Sequence, residues 1–267
     1  MKKWLVAALA LVMLFTCGLA VAEDASVEAI VGKGTLILGL DDSFPPMGYR
    51  DEANEIVGFD IDLAAEVAAR LGVELVLQPI SWDAKELELA DGNIDCIWNG
   101  MSISPERQES MSMTFSYLEN QIVFYAKEDA ALKTLDDLAG KKIAVQGGSY
   151  AEELLDSADY AELKASFAEV LAFDEYLTAL MDLEQGGVDA VLIDRVVAEF
   201  RITGMGADDL VPVVSLEDDN FGIGFRKGDV ALRDKVESVL IEMKQDGIVE
   251  EIAVKWFGSD ITAIPVE

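Results

Sequence analysis

Short apolar runs alternate with amphipathic stretches along most of this chain. Segments 34–43 and 140–149 each have the pattern of a strand followed by a polar turn. Segments 92–98 and 187–192 each have a glycine at a helix end, followed by a buried strand. Strands that alternate with helical segments predict parallel sheets of βαβ type, and the two matching pairs predict two lobes of similar build.

Helices are predicted where apolar residues recur at the helical spacing. The first begins at Asp60 or Asp62 and ends at Gly72, and its core face holds Ile61, Ala64, Ala65, Ala68 and Leu71. An acidic helix is predicted at 83–90, and helices of the second lobe at 149–157 and 173–185. The segment 230–257 predicts helices that pack back on the first lobe, with a core stripe of Leu232, Val236, Val239, Leu240 and Met243 that is broken at Gly247.

The predicted elements divide the chain into two lobes. Lobe 1 comprises residues 27–120 and 221–267, and lobe 2 comprises residues 121–220. The chain then crosses between the lobes twice, near 117–123 and near 217–222. Because binding sites in open α/β sheets lie beyond the carboxyl ends of the strands, we expect a site in the cleft between the lobes.

Residues 1–22 have the features of a secretory signal peptide. Lys2-Lys3 is a basic start, Trp4–Leu19 is an apolar run and Ala20-Val-Ala22 is a small-x-small cleavage site. A membrane anchor is the alternative, but the run of about 16 residues is shorter than the roughly 20 that a spanning helix needs. We therefore expect a periplasmic or extracellular protein.

The net charge excludes some partners. The chain carries a formal net charge of −31, and removal of residues 1–22 takes away two lysines and no acid, which gives −33. Such an acidic surface repels nucleic acids and anionic lipid headgroups. We therefore expect no nucleic-acid partner, and we expect a monomer.

The rare residue types narrow the chemistry further. Cys17 follows Leu14-Phe-Thr, which loosely resembles a lipoprotein box, so lipid attachment is a second interpretation of the N-terminus. Cys96 lies in an apolar strand, where a lone cysteine is a small core residue without a disulfide partner. The sequence has no histidine, which excludes histidine-dependent triads and His-ligated zinc sites. No metal ion or cofactor is expected.

One polar loop has the pattern of an anion site. The strand Asp95–Trp98 continues through residues 99–102 to Ser104 and Pro105, which are an N-cap and the first residue of a helix. The unpaired N–H groups of a helix N-terminus favour an anion, and Arg107 adds a two-pronged donor for a carboxylate. An ordinary loop with a surface arginine is the alternative.

The segment Asn99-Gly-Met-Ser-Ile-Ser-Pro-Glu-Arg107 resembles the ligand loop of bacterial extracellular solute-binding proteins, family 3, which serve ABC importers of polar amino acids. The resemblance covers nearly all of residues 34–258 and includes Asp41-Asp-Ser-Phe-Pro-Pro46, Gly58-Phe-Asp-Ile-Asp-Leu63, Gly147-Gly-Ser149, Val188-Asp-Ala-Val-Leu-Ile-Asp194 and Lys255-Trp-Phe-Gly258. It implies a two-lobed type II periplasmic-binding-protein-like α/β fold, in which each lobe has a mixed, mostly parallel sheet flanked by helices. It also implies a ligand in the cleft, hinges at the crossings, a membrane permease as partner and no catalytic activity.

The resemblance further implies a role for each residue that matches the family pattern. Arg107, the Ser102 amide and the Ser149–Tyr150 turn would hold the α-carboxylate of an amino acid. Asp194, the Gly100 carbonyl and the Ser102 hydroxyl would hold its α-ammonium group; the alternative for Asp194 is a helix N-cap or turn aspartate. The ligand-binding set is completed by Met101 of the loop and by the residues that would meet the ligand's side chain, Asp41, Phe44, Trp82, Asn99 and Gln146. For Phe44 and Trp82 the alternative is a place in the core.

These side-chain contacts favour a polar neutral or a basic L-amino acid. Asp41 and its neighbour Asp42 favour a basic group, whereas the amides of Asn99 and Gln146 favour a neutral one. The sequence identifies no cation besides Arg107, so we expect acidic amino acids to bind at least about tenfold more weakly. Trp82 and Asn99 depart from the commonest family forms, so the identity of the ligand does not follow from the resemblance.

Two other function classes stay open. One is a periplasmic enzyme on the same architecture, such as a dehydratase of cyclohexadienyl acids, with Asp41, Asp42 and Asp194 as acid–base groups. The other is a module that senses a ligand and reports it to a membrane partner. Product formation distinguishes the enzyme from a carrier, which leaves its ligand unchanged.

Overall fold

The structure, a computed structural model, describes residues 24–266. The predicted signal peptide and Cys17 lie outside the described residues. The helices are α1 (Ser26–Lys33), α2 (Phe59–Leu71), α3 (Lys85–Ala90), α4 (Pro105–Ser110), α5 (Tyr150–Asp156), α6 (Ala161–Ser166), α7 (Tyr176–Gln185), α8 (Arg195–Met205), α9 (Val230–Gln245) and α10 (Ile248–Phe257). Within this part of the chain, no helix has both the length and the apolar composition that a membrane crossing requires.

The strands form one large sheet and a small one. They are β1 (Thr35–Leu40), β2 (Ser43–Phe44), β3 (Gly48–Arg50), β4 (Ile56–Val57), β5 (Glu74–Pro79), β6 (Cys96–Ser102), β7 (Met111–Met113), β8 (Leu118–Lys127), β9 (Lys142–Gln146), β10 (Glu169–Phe173), β11 (Ala190–Asp194) and β12 (Leu210–Arg226). The large sheet has the order β10-β9-β11-β8-β12-β6-β1-β5, with β7 also paired to β12, and β2, β3 and β4 form the small sheet.

Parallel pairing occupies the two ends of the large sheet. At one end β1 pairs in parallel with β5 and β6, and at the other end β9 pairs in parallel with β10 and β11. In the middle, β8 and β12 are antiparallel to their neighbours and to each other. We call β1, β5 and β6 with their helices the β1 side, and β9, β10 and β11 with their helices the β9 side. This arrangement confirms the predicted mixed α/β architecture.

The two predicted crossings between lobes coincide with β8 and β12. These strands pair along ten residue positions, among them Asn120 opposite Asp219 and Leu118 opposite Phe221. Because the crossing strands satisfy each other's backbone groups, they join the two sides into one continuous sheet. The exact lobe boundaries at 120/121 and 220/221 fall inside these strands and stay a prediction.

The segment after Trp98 differs from its prediction as a loop. Residues 99–102 continue β6, because Met101 and Ser102 pair with Gly222 and Phe221 of β12. Helix α4 then begins at Pro105 with Ser104 as its N-cap, as predicted, and the Ser104 hydroxyl accepts a hydrogen bond from the Arg107 N–H at 3.2 Å. The strand therefore carries the polar residues of the motif to its own carboxyl end, where the pairing with β12 holds them in place.

Helix α2 begins earlier than the sequence predicted. Gly58 is its N-cap, so neither Asp60 nor Asp62 starts the helix, whereas Gly72 ends it in the left-handed conformation as predicted. Four of the five predicted core residues are buried or half-buried, but Ala65 is exposed. The buried face is centred on Asp60, Leu63, Ala64 and Val67 instead.

Most of the other predicted helices are present, but the one predicted at 173–185 begins at Tyr176 because Phe173 ends β10. Helices α1, α6 and α8 were not predicted. The stripe Leu232, Val236, Val239, Leu240 and Met243 is buried in α9, and α10 follows Gly247. The predicted acidic helix is a 3₁₀ turn at Trp82–Ala84 followed by α3, in which Lys85 is buried. Cys96 is buried in β6 as a free thiol, and burial raises its pKa. Its predicted place in the core is confirmed.

Candidate ligand-binding site

A small cavity lies where the carboxyl ends of strands from both sides of the sheet meet. Its volume is about 10 Å³, room for roughly one water molecule, and it is lined by Phe44, Trp82, Gly100, Ser102, Arg107, Gln146, Ser149, Tyr150 and Asp194. All nine belong to the twelve residues that the sequence resemblance implied. Because ligand pockets usually have roughly 300–1,000 Å³, this cavity admits an amino acid only if its walls move apart.

The other three predicted residues lie behind this lining. The Asn99 side-chain Oδ1 accepts a hydrogen bond from the Asp41 N–H at 3.1 Å, and the Asp41 carboxylate accepts one from the Gln146 side-chain amide at 2.7 Å. Burial raises the pKa of Asp41. Met101 is fully buried and packs in the core beside Ile97. These residues support the cavity from the rear and do not reach its surface.

Gly100 requires a backbone that other residues rarely adopt. Its φ is +59°, and a Cβ there would lie 2.7 Å from the Phe44 ring. The Asp60 carboxylate holds this part of β6 by accepting hydrogen bonds from the Gly100 N–H at 2.7 Å and from the Tyr117 hydroxyl at 2.8 Å. Glycine is therefore needed here both for its conformation and for its small size.

Asp60 is a functional residue that the sequence reasoning missed. The prediction placed it at a helix start, but its side chain is fully buried beneath β6, and burial raises its pKa to about 7. The hydrogen bonds from Tyr117 and Gly100 oppose that rise. The resemblance included Asp60 in Gly58–Leu63, yet nothing in that motif indicated a partner 40 residues away.

Arg107 is only 2% exposed and its guanidinium is already bonded. Its Nη2 lies 2.6 Å from Glu153 Oε1, its Nε donates to the same oxygen at 3.2 Å, and its Nη1 donates to the Ser102 carbonyl at 3.0 Å. Glu153 belongs to α5 on the β9 side and was not predicted. The ion pair thus joins the two sides of the sheet beside the cavity.

Asp194 ends β11 and is the first residue before α8, but its side chain does not cap that helix. Its Oδ1 accepts a hydrogen bond from the Asn120 amide at 2.7 Å. Burial and the nearby Asp219 carboxylate raise the pKa of Asp194 to about 8. A buried carboxylate that faces a cavity without a paired cation is a strong acceptor for a ligand cation.

Phe44 and Trp82 were predicted either to contact the ligand or to lie in the core. Phe44 is buried in the core and also lines the cavity, where its ring lies parallel to the half-buried Trp82 with the centroids 6.5 Å apart. Lys85 Nζ lies 5.1 Å from the centroid of the Trp82 ring. Both rings therefore form an apolar wall that an aliphatic stem would contact.

Two cationic side chains near the cavity, Lys85 and Arg201, were not predicted from the sequence. Lys85 Nζ donates to the Gly148 carbonyl at 2.7 Å, and burial together with the Arg107 charge lowers its pKa to about 8. Arg201 donates to the Ser43 carbonyl at 2.6 Å, and burial lowers its pKa while the Asp41 charge opposes that shift. Neither side chain lines the cavity, so Arg107 is the cation on its surface. In residues 24–266 no group of three or more Cys, Asp or Glu side chains has an arrangement suited to a metal ion.

The sequence profile of the bacterial extracellular solute-binding proteins, family 3, matches residues 36–259. The chain belongs to this family. The match confirms the resemblance of the loop and its supporting motifs, and it covers the elements that form the cavity. This solute-binding protein is therefore comparable with its relatives over nearly its whole described length.

Two curated relatives and two solved structures illustrate the likeness. The chain is 30% identical to the L-cystine-binding protein TcyJ of Escherichia coli K12 over 90% of this chain and 89% of that protein. It is 32% identical to ABC transporter arginine-binding protein 1 of the same organism, over 96% and 99% of the two chains. An ABC uptake transporter substrate binding protein from Streptococcus pneumoniae with bound histidine superposes with a TM-score of 0.86 at 34% identity, covering 91% of this chain and 99% of that one. The ancestral amino acid-binding protein AncCDT-1, a precursor of cyclohexadienyl dehydratase, superposes with a TM-score of 0.79 at 30% identity, covering 87% and 99%. The type II periplasmic-binding-protein fold is confirmed.

Asp60→Asn is expected to make the stability of this solute-binding protein less dependent on pH. Folding raises the pKa of Asp60 from 3.8 to about 7, so between these pH values the folded chain keeps a proton that the unfolded chain has lost. The stabilisation is present near pH 4 and is lost as the pH rises through 7. Urea unfolding from about pH 4 to about pH 8 should show a shallower decline for the variant.

Asp91→Asn is the matched control, because it makes the same chemical change at an exposed position. It should retain the wild-type pH dependence. An equal decline in the Asp60 variant and the wild type would contradict the assigned role of the buried carboxyl.

Proposed function

We propose that this protein is the extracytoplasmic substrate-binding protein of an amino acid ABC importer. It binds a polar neutral or basic L-amino acid in the cavity and delivers it to a membrane permease. The observation that carries the proposal is that a buried cation, Arg107, and a buried carboxylate, Asp194, line the same small cavity. That pair matches the two charges of a zwitterion. We place the protein, as a monomer, in the periplasm or outside the cell, with lipid attachment at Cys17 as the alternative to cleavage.

Arg107 holds the ligand's α-carboxylate in this proposal. Ser149 and Tyr150 line the cavity beside it, and Ser102 contributes its backbone N–H. Glu153 accepts from the Nε and Nη2 edge of Arg107, and Nη1 donates to the Ser102 carbonyl. The ligand carboxylate therefore displaces Glu153 from this edge. Displacement is inexpensive, because the Glu153 side chain is 35% exposed and regains water when it leaves.

Asp194 holds the α-ammonium group, together with the Gly100 carbonyl and the Ser102 hydroxyl. All three residues line the cavity. The Ser102 hydroxyl donates its proton to Asp219 at 2.9 Å, so its oxygen is free to accept a hydrogen bond from an ammonium group. The remote end of the ligand meets Phe44, Trp82 and Gln146.

The charges behind Gln146 favour ligands that are not acidic. The Asp41 carboxylate accepts a hydrogen bond from the side-chain amide of Gln146, so it lies directly behind a residue that lines the cavity. A ligand carboxylate at that end would approach Asp41 without a cation on the cavity surface, and like charges repel there. The relatives named for cystine, arginine and histidine, which are polar neutral or basic, support the same ligand class.

A periplasmic dehydratase is the second candidate. The likeness to a precursor of cyclohexadienyl dehydratase favours it, and so does the raised pKa of Asp194, which a general acid needs. Asp42, a predicted acid–base group, bonds instead to Arg50 at 2.5 Å. Incubation with prephenate and arogenate, followed by NMR, decides between the two functions: product formation at catalytic protein concentration would replace the carrier proposal.

Several contacts beside the cavity join the β1 side to the β9 side. They include Arg107 with Glu153, Gln146 with Asp41, and Lys85 with the Gly148 carbonyl. Gly148 has a φ of +69°, and a Cβ there would lie 2.7 Å from the Asp83 Cα. A ligand enters only when such contacts break, so we infer that the two sides open and close as lobes.

The first prediction from this proposal concerns ligand class. Thermal unfolding is measured with each of the twenty amino acids, cystine and ornithine, since a ligand at 100 times its Kd adds about 2.7 kcal/mol of stability. A polar neutral or basic L-amino acid should give the largest shift, and calorimetry should show acidic amino acids at least about tenfold weaker. Glutamate or leucine as the tightest ligand would show that the assignment of the cavity is wrong.

The second prediction concerns the two charges. Arg107→Ala should abolish measurable binding and Asp194→Asn should weaken it, since losing one partner of a desolvated charge pair costs about 2–5 kcal/mol. Isothermal titration calorimetry provides the affinities, and Arg70→Ala, an arginine paired with Glu66 away from the cavity, is the control. Amino acids with a blocked α-amine should bind wild type as weakly as free amino acids bind Asp194→Asn. Near-normal affinity in either variant would remove that residue from the site.

The third prediction concerns closure. Gly148→Ala should prevent full closure, because the new Cβ meets the Asp83 backbone. Small-angle X-ray scattering with a saturating amino acid should show contraction for the wild type and less contraction for the variant. Gly147→Ala is the matched control, since its Cβ meets only the Phe173 carbonyl at 3.8 Å. The closure mechanism fails if both variants contract like the wild type.

A further inference from the structure

Two buried carboxylates share a single amide directly behind the cavity. The Asn120 Nδ2 donates to Asp194 Oδ1 at 2.7 Å and to Asp219 Oδ2 at 2.9 Å, and the Ser102 hydroxyl donates to Asp219 Oδ2 at 2.9 Å. We call Asp194 and Asp219 the carboxylate pair. Only Asp194 and Ser102 reach the cavity surface, so Asp219 and Asn120 act from the second layer.

The carboxylate pair lacks a compensating charge. Asp194 and Asp219 are 5% and 4% exposed, and within residues 24–266 neither forms a salt bridge. The Asp219 Oδ1 and Asn120 Oδ1 atoms are buried and accept no hydrogen bond from the described residues. Two ionised carboxylates in such surroundings are costly, because their mutual repulsion adds to the loss of water.

The charged and titratable groups that face the carboxylate pair do not resolve this imbalance. They are Arg107 on α4, Tyr150 on α5, Tyr176 on α7 and Tyr117 before β8. Arg195 of α8, Glu119 and Asp218 line a cleft with Asn120 and Asp219, and among the described residues Arg195 forms no salt bridge with either carboxylate of the pair. Arg107 is paired with Glu153. Burial raises the pKa of all three tyrosines, to about 12 for Tyr150, so they remain neutral near pH 7. A proton or an incoming cation is what can balance the pair.

The place of the pair in the sheet connects the cavity to the crossing strands. Asn120 of β8 and Asp219 of β12 lie opposite each other in the register, and Asp194 lies opposite Ile122 of β8. The shared amide thus joins β8, β11 and β12 at the point where the two sides of the sheet meet. A change in the charge of the carboxylate pair therefore alters the electrostatic interactions of both sides of the sheet.

We propose that Asp194 and Asp219 hold one proton between them in the ligand-free protein and release it when a ligand's α-ammonium group binds. Asp219 is then a positioning residue: its negative charge favours a proton on Asp194, while the Asn120 amide holds the two carboxyl groups close together. The ammonium takes over the charge balance when the O–H bond of the carboxyl breaks and its proton passes to water. This inference rests on the proposed amino acid binding and adds that the affinity rises with pH around neutrality.

Calorimetry in buffers of different ionisation enthalpy tests this by counting the protons released per bound ligand. The probes are L-arginine, L-glutamine and L-cystine at pH 7, whose side chains do not titrate there. Wild type should release close to one proton per bound amino acid, and Asp219→Asn less than half of that. Asp218→Asn is the matched control, because the adjacent Asp218 is exposed and bonds to Gln121. It should behave as wild type.

Infrared difference spectroscopy on the wild type gives a readout that needs no variant. Binding should remove the C=O band of a protonated carboxyl group. A wild type that binds without releasing protons, or an Asp219→Asn protein that releases the wild-type number, overturns this inference and leaves the proposed function intact. A loss of affinity with an unchanged proton count would assign Asp219 a structural role only. If none of the three amino acids binds the wild type, the proposed function fails, and the inference fails with it.

Discussion

The antiparallel pairing of β8 with β12 is the constraint on which the rest of the structure depends. Each crossing strand satisfies the backbone groups of the other over ten residue positions, so the two sides of the molecule share one sheet. This pairing brings the carboxyl ends of β6 and β11 to the same place. Ser102 and Asp194, which end those strands, then line one cavity. Without the central pair, the same residues would belong to unrelated edges.

The site is assembled from buried charges that are compensated to different degrees. Arg107 is paired with Glu153, and Asp60 accepts hydrogen bonds from a backbone N–H and a tyrosine hydroxyl. Asp194 accepts one side-chain bond, from an amide that it shares with a second carboxylate. Because an uncompensated buried charge is expensive, the free energy available to an incoming cation is largest at Asp194. The structure therefore distinguishes the ammonium end of the cavity more strongly than the carboxylate end, where Glu153 already takes the place of an anion.

Rigid support behind the lining decides how well these charges are held. Asp60 holds β6 in place at Gly100, and Asp41 connects Asn99 on one side of the sheet with Gln146 on the other. Such second-layer contacts orient the groups that touch a ligand without touching it themselves. They also explain why so acidic a protein keeps several carboxylates in its interior: each has a backbone or side-chain donor at hydrogen-bond distance.

The sequence by itself determined those features that depend on neighbours along the chain. Periodicity and glycine positions predicted the alternating strands and helices, the Ser104 cap and Pro105 located α4, and the motif resemblance named all nine residues that line the cavity. The misassigned start of α2 and the loop at 99–102 are also instructive, since the pairing of β6 with β12 overrode the local turn signal.

Only the tertiary structure decided the contacts between distant segments. Asp60 meets Gly100, Arg107 meets Glu153 and Asn120 meets Asp219, although these partners stand 40, 46 and 99 residues apart. A charged side chain has no periodicity that reveals its partner, and its burial depends on how whole strands pack. The sequence therefore determined which residues surround the cavity, whereas the packing of β6, β8, β11 and β12 decided which charges are paired and which one is left for a ligand.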